Sequence, residues 1–262
     1  MKIDLTGKRA VVCGSTQGIG KAVAVELANL GASICLVARN KDALRQVKKE
    51  LNNSSGQSHD LIAIDFIDVD RLEEKIQDYI SKNPPVHILV NNTGGPASGP
   101  ALKAEIEEFV QAFSNHLLCN QVLAKALAPG MKEERYGRII NIISTSVKQP
   151  IKGLGVSNTI RGAVANWSKT LAEELGPFGI TVNNVLPGAT RTNRLASLIQ
   201  TSAQKSGSTT EEVAKRMKSA IPVRRFAEPE ELAHAVAFLA SPLAGYINGI
   251  NLPVDGGRTV SL

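Results

Sequence analysis

The 262-residue chain has little of what marks membrane, secreted or nucleic-acid-binding proteins. No apolar run approaches the roughly 20 residues that cross a bilayer. The opening Met1-Lys2-Ile3-Asp4-Leu5-Thr6-Gly7-Lys8-Arg9 lacks the apolar core of a secretory signal. Cys13, Cys35 and Cys119 are the only cysteines, scattered and without metal-ligand spacing. They read as small core residues in a reducing cytoplasm, not as a metal site. Aromatics make up only 4%, and the net charge of +6 is dispersed, with bases interleaved among acids as in Lys132-Glu133-Glu134-Arg135. With no basic block and no interleaved aromatics, a nucleic-acid partner is not expected. A basic surface that attracts anionic cofactors or substrates explains the charge. There is no repeat and no low-complexity linker, and 43% hydrophobic with 21% charged residues is an ordinary globular balance. The length suits one well-buried unit, 1–262.

Short β-branched runs alternate with helical patterns from end to end. Strands are expected at 10–13, 33–38, 61–65, 86–91, 138–143, 180–186 and 249–254, and helices at 20–30, 41–51, 69–81, 106–127, 156–175 and 230–240. This rhythm predicts an α/β Rossmann fold, a doubly wound parallel sheet of about seven strands flanked by helices. One irregular insertion, 193–220, holds a flexible Ser/Gln/Thr-rich piece (200–210) and a short amphipathic helix (211–219). Such excursions in compact α/β units often cover a site.

Gly14-Ser15-Thr16-Gln17-Gly18-Ile19-Gly20 follows the first strand and opens the first helix. Glycines there let backbone approach a diphosphate, whose charge the helix N-terminus holds. The second strand ends in Arg39-Asn40. An acid at that point suits the ribose 2′-hydroxyl of NAD, and an arginine the 2′-phosphate, so NADP(H) is the expected cofactor. Asp65-Phe66 ends the third strand, where the carboxylate can accept from an adenine amino group. Asn91-Asn92-Thr93-Gly94-Gly95 ends the fourth. All these turns fall at the carboxyl edge of the sheet, where open α/β sheets bind ligands.

Taken with Gly137-Arg138-Ile139-Ile140-Asn141-Ile142-Ile143-Ser144, Val182-Asn183-Asn184-Val185-Leu186-Pro187-Gly188, Ile221-Pro222-Val223-Arg224-Arg225-Phe226 and Val254-Asp255-Gly256-Gly257, the chain closely resembles the short-chain dehydrogenase/reductase family over nearly its whole length. It is most similar to the 3-oxoacyl-carrier-protein reductase-like members. The resemblance implies that Ser144 polarises a substrate carbonyl and that Pro187, Gly188, Thr190 and Thr192 hold the nicotinamide carboxamide. It implies a substrate loop at 193–220, and a homotetramer or homodimer built by packing the helices at 106–127 and 156–175.

The catalytic pattern departs from the family at three places. Ser157 stands where the family has its proton-donating tyrosine, Arg161 where it has lysine, and His116 where it has asparagine, with Asn115 one residue away. Thr93 replaces an alanine and Cys13 a threonine. A serine hydroxyl is a far weaker acid than a phenol of pKa about 10. Arginine keeps its charge but cannot give up a proton in a relay. Tyr79, Tyr136 and Tyr246 do not fall where they would substitute.

Two accounts follow. In one, Ser144 and Ser157 polarise an acceptor, Arg161 fixes NADPH, and His116 or water supplies the proton. Activated carbonyls, acyl thioesters or alkenes conjugated to a carbonyl suit such a site. In the other, the chain binds NADPH without turnover, as a sensor, scaffold or partner subunit. Retention of Ser144 and of the full cofactor motif set favours the enzyme.

Overall fold

The computed structural model describes residues 3–261 of the expected 1–262 unit, so Met1, Lys2 and Leu262 lie outside the described residues. Seven strands among these residues form one sheet. They are β1 (Arg9–Cys13), β2 (Ser33–Ala38), β3 (Asp60–Ala63), β4 (Ile88–Asn91), β5 (Gly137–Ile142), β6 (Ile180–Pro187) and β7 (Asn251–Val254). Their order is β3-β2-β1-β4-β5-β6-β7, and every pairing is parallel. This is the doubly wound sheet that the strand–helix rhythm predicts. The order reverses between β1 and β4, which opens a crevice at their carboxyl ends.

Alternation along the strands feeds two cores. Ala10 and Val12 face one core with α1 (Gly18–Asn29), α2 (Lys41–Glu50) and α9 (Pro229–Ala240). Val11 and Cys13 face the other, with α3 (Val69–Lys82), α5 (Cys119–Glu133) and α6 (Gly155–Leu175). Burial on both faces is why these strands read as continuous apolar runs. All three cysteines are free and buried in the second core. Burial pushes the thiols of Cys35 and Cys119 up to about 12, so they stay protonated packing groups. No helix among the described residues is long and apolar enough to cross a membrane.

Two expected segments differ in form. The single helix expected at 106–127 is α4 (Ile106–Phe113), a π-helical turn (Ser114–Leu118) and then α5, which runs on through Pro129 to Glu133. An interior proline costs about 3 kcal/mol. Burial of Leu127 and Met131, 3% and 0% exposed, returns about 1.5–3 kcal/mol each, so the helix continues. The piece expected to be flexible, 200–210, is largely helical. α7 (Asn193–Ser206) is capped by Thr192 and ends at left-handed Gly207 (φ 62°), followed by α8 (Thr210–Ser219). Leu195, Ile199 and Ala203 recur every four residues along α7, and Leu195 and Ile199 pack with Ile221 and Phe226. Packing on this stripe overrides the polar composition.

A row of asparagines crosses four strands in register: Asn91 beside Asn141, Asn141 beside Asn184, and Asn184 beside Asn251. Asn91 donates to Asn141 (2.8 Å), Asn141 to Asn184 (3.0 Å) and to Ser168 Oγ (2.8 Å), and Asn184 to Asn251 (2.8 Å). Ser168 lies on α6, so this buried network fixes that helix against the sheet.

Candidate active site

A cleft of about 1110 Å³ opens at the carboxyl edge of the sheet. Its diphosphate end is made by backbone. Gly14 (φ 59°) and Gly18 (φ 54°) are left-handed, and a Cβ on Gly14 would lie 2.5 Å from the Asn92 carbonyl oxygen. The N-cap residue of α1, Gln17, makes no side-chain cap, and no acid stands in its first turn. By contrast α2 and α3 are capped by Asn40 and Asp68. The N–H groups that begin α1 are therefore left for an external anion. Arg39 and Asp65 line the next part of the cleft 3.5 Å apart and largely exposed, with Phe66 beside them. The residues present fit a dinucleotide carrying a 2′-phosphate.

The other end is made by side chains. Ser144 follows β5, and its Oγ accepts from the Ser146 N–H at 3.0 Å. Its own proton remains to be donated. Ser157 lines the cleft from α6 and makes no side-chain hydrogen bond within the described residues. Arg161, one helical turn later, is buried and donates from Nη1 to the Ile142 carbonyl at 3.2 Å. Pro187, Gly188, Thr190 and Thr192 line the opposite wall. Thr190 and Thr192 hydroxyls donate to the carbonyls of Gly188 and Thr190.

Three sequence-predicted residues are placed differently. Ser15 does not line the cleft; it is buried, and its Oγ accepts from Val37 N–H at 3.1 Å, pinning the loop to β2. Gly20 is also behind the loop, where a Cβ would lie 2.2 Å from the Gly14 carbonyl oxygen. It permits the tight turn and does not line the cleft. His116 is 2% exposed and bonds through Nδ1 to the Thr93 hydroxyl, while Asn115 lines the cleft. The π-turn inserts an extra residue and rotates 115, not 116, toward the site. Burial, and secondarily the Arg161 charge, push the His116 imidazole down to about 2, so it is neutral and not the expected proton donor.

Other predicted residues keep their place with a narrower task. The Asn40 amide oxygen is engaged in capping α2. Asn92 ties β4 to the glycine loop through the carbonyls of Cys13 and Gly14. Thr16, Gln17, Ile19 and Gly94 line the cleft. Tyr79, Tyr136 and Tyr246 do not line it.

Sequence reasoning missed Arg194, at the start of α7. Its Nη2 donates to the Pro96 carbonyl at 2.7 Å. Only its position two residues after the Thr192 cap signals it. Asn193 in turn donates to Gln17 (2.7 Å), joining the 193–220 insertion to the glycine loop. A second hollow of about 820 Å³ between α7 and α8 shares no residue with the cleft.

The family model described as enoyl-(acyl carrier protein) reductase matches residues 14–259. A 3-oxoacyl-[acyl-carrier-protein] reductase of Aquifex aeolicus is 30% identical over 257 residues, covering 98% of this chain and 99% of that protein. An NADPH-dependent reductase of Bacillus subtilis is 30% identical over 259 residues, covering 98% and 100%. Among solved structures, the L-sorbose reductase of Gluconobacter frateurii, complexed with NADPH and L-sorbose, superposes with a TM-score of 0.93 at 31% identity, covering all of both chains.

Proposed function

The chain belongs to the short-chain dehydrogenase/reductase family, and from that premise we propose that it is an NADP(H)-dependent oxidoreductase whose acceptor is a carbonyl compound or an alkene conjugated to a carbonyl. Residues 1–262 act as one NADP-binding unit, with 193–220 as the substrate loop. The observation that carries this reading is the convergence of Ser144, Ser157 and Arg161 on one cleft, beside an α1 N-terminus that the chain itself leaves uncapped. The NADPH-bound sugar reductase among the structural relatives supports the cofactor, as does Arg39 at the end of β2.

Held by the glycine-loop backbone, Arg39 and Arg161, NADPH would supply a hydride. The acceptor's carbonyl carbon, or the β-carbon of a conjugated alkene, takes it and forms the new C–H bond. The displaced π electrons move to the carbonyl oxygen, which Ser144 and Ser157 hold by hydrogen bonds that strengthen as charge develops. Arg161 holds the nicotinamide ribose and adds positive field. With His116 neutral and buried, the proton comes from water. It completes the alcohol, or the α-carbon of the enolate, and NADP⁺ remains.

Acyl thioesters and other activated carbonyls both fall in this acceptor class. We place the protein in the cytoplasm, where its three buried free thiols stay reduced. Assembly as a homotetramer or homodimer is supported by Ile106, Val110 and Phe113, exposed along one face of α4. Light scattering tests it, and a monomer would count against it.

A second reading is favoured by the absence of any tyrosine from the cleft: NADPH binding without turnover, as a sensor, scaffold or partner subunit. The deciding experiment measures NADPH consumption by the purified protein with 3-oxoacyl thioesters, diketones, quinones and conjugated enones, beside NADPH binding. Turnover on any acceptor supports the oxidoreductase. Tight binding with no turnover selects the second reading.

A further inference from the structure

Charge on the walls of the cleft is one-sided. Apart from the Arg39–Asp65 pair at the adenine end, its Asp, Glu, Lys and Arg residues are Lys152, Arg161, Arg194, Lys205 and Arg258, all cationic. Arg161 is the unusual member. The residue is 7% exposed, and its Nε is buried with no hydrogen-bond partner. Among the described residues no carboxylate lies within ion-pair distance of it. Its neighbours Cys119 and His116 are both neutral and offer no counter-charge. Buried charges are ordinarily paired, because desolvating a lone ion is costly. Arg161 therefore brings a buried positive charge that no side chain of the described residues offsets.

Arg194 faces the same point from the substrate loop. A Cβ placed on Gly95 would lie 3.7 Å from Arg194 Nη2 and 4.0 Å from Arg161 Nη2. Two guanidinium groups thus flank one glycine turn, and glycine leaves the space beside them open. The cofactor does not account for this pair: the glycine loop and Arg39 serve its phosphates at the other end of the cleft, and the nicotinamide ribose held by Arg161 brings hydroxyls but no negative charge. Arg161 is one helical turn from Ser157, so an anion held there sits close to the reacting carbonyl.

We infer that the acceptor is a small oxo acid, saturated or unsaturated, whose carboxylate is clamped between Arg161 and Arg194 while its carbonyl rests on Ser144 and Ser157. The inference rests on the reductase reading of this cleft and narrows its substrate class. A planar guanidinium fork matches a carboxylate in bidentate fashion. A carrier thioester fits less well, because its phosphates lie a whole pantetheine arm from the carbonyl.

The test is calorimetric binding of short 2-oxo and 3-oxo acids, and of their methyl esters, to the full chain loaded with NADP⁺, where no reduction can proceed. The acids should bind at least about tenfold more tightly than the esters, as expected for a charge-assisted pair. Arg194→Gln should erase that preference and leave NADP⁺ affinity unchanged. Equal binding of acids and esters, no binding of either to a protein that binds NADP⁺, or a preference that survives in Arg194→Gln would overturn the inference. Failure to bind NADP⁺ at all would overturn the reductase reading beneath it, and the inference with it.

Discussion

The two ends of the cleft are made of different materials. At the diphosphate end the work is done by backbone, and the family's glycine pattern is kept. At the acceptor end it is done by side chains, among them Thr93, Ser144, Ser157 and Arg161. The contrast has a physical cause. Gly14 and Gly20 are fixed by close backbone approaches and Gly18 by its left-handed backbone, so almost any side chain there is strained or collides with the frame. Side chains at the acceptor end can change where neighbours adjust, including the buried His116 and Arg161. Two of them meet across the chain: Thr93 and His116, 23 positions apart, share a hydrogen bond.

Four substitutions break or sharpen this comparison. The largest effect is expected at the acceptor end. Ser144→Ala should lower kcat by about 10²–10³ with NADPH affinity unchanged, measured by steady-state kinetics beside calorimetry. Loss of cofactor binding in that variant would erase the division between the two ends.

At the diphosphate end the signature reverses. Gly20→Ala places a Cβ 2.2 Å from the Gly14 carbonyl oxygen, and the loop must shift. NADPH affinity should fall about 100-fold, the equivalent of about 3 kcal/mol of strain. Normal affinity would mean that the turn is not held by this contact.

His116 tests whether the acceptor end carries a pH cost. Its folded pKa is about 2, well below the about 6.5 of an unfolded chain. The unfolded state therefore binds the extra proton. The stabilisation is complete above about pH 6.5 and is lost progressively as pH falls toward 2. At pH 5 the loss is about 2 kcal/mol. Urea unfolding at pH 7 and pH 5 should show it, and His116→Asn should remove it; an unchanged pH slope would mean that the imidazole is not held neutral.

The smallest effect is expected at Arg39, an exposed side chain. Arg39→Gln should weaken NADPH about tenfold and leave NADH unaffected. Equal losses for both cofactors would assign Arg39 to the ribose or adenine and not to the phosphate.

The sheet was legible because its strands are buried on both faces and the loops between them carry glycine, proline and asparagine. Expected and observed boundaries of β2 coincide at Ser33–Ala38. The glycine loop was legible for the same local reason, since left-handed backbone asks for glycine at 14 and 18. The helix at 106–127 was only half legible. Nothing in its apolar spacing marks the π-turn at Ser114–Leu118, and Pro129 argues for an end that burial of Met131 overrides. The Ser/Gln/Thr composition of 200–210 pointed away from a helix that is held by Leu195 and Ile199 packing on Ile221 and Phe226.

By itself, then, the sequence determined the parallel sheet, the dinucleotide loop and which residues stand at 116, 157 and 161. These depend on local backbone preference and on residue identity at fixed chain spacing. Only the tertiary structure decided that Asn115 and not His116 meets the cleft, that Thr93 and His116 bond to each other, and that Arg194 and Arg161 meet beside Gly95. Arg161 and Arg194 are 33 positions apart in the chain, on elements whose approach is set by how α6 and α7 pack against the sheet. No local periodicity encodes such a meeting, because its geometry is a property of the packed whole.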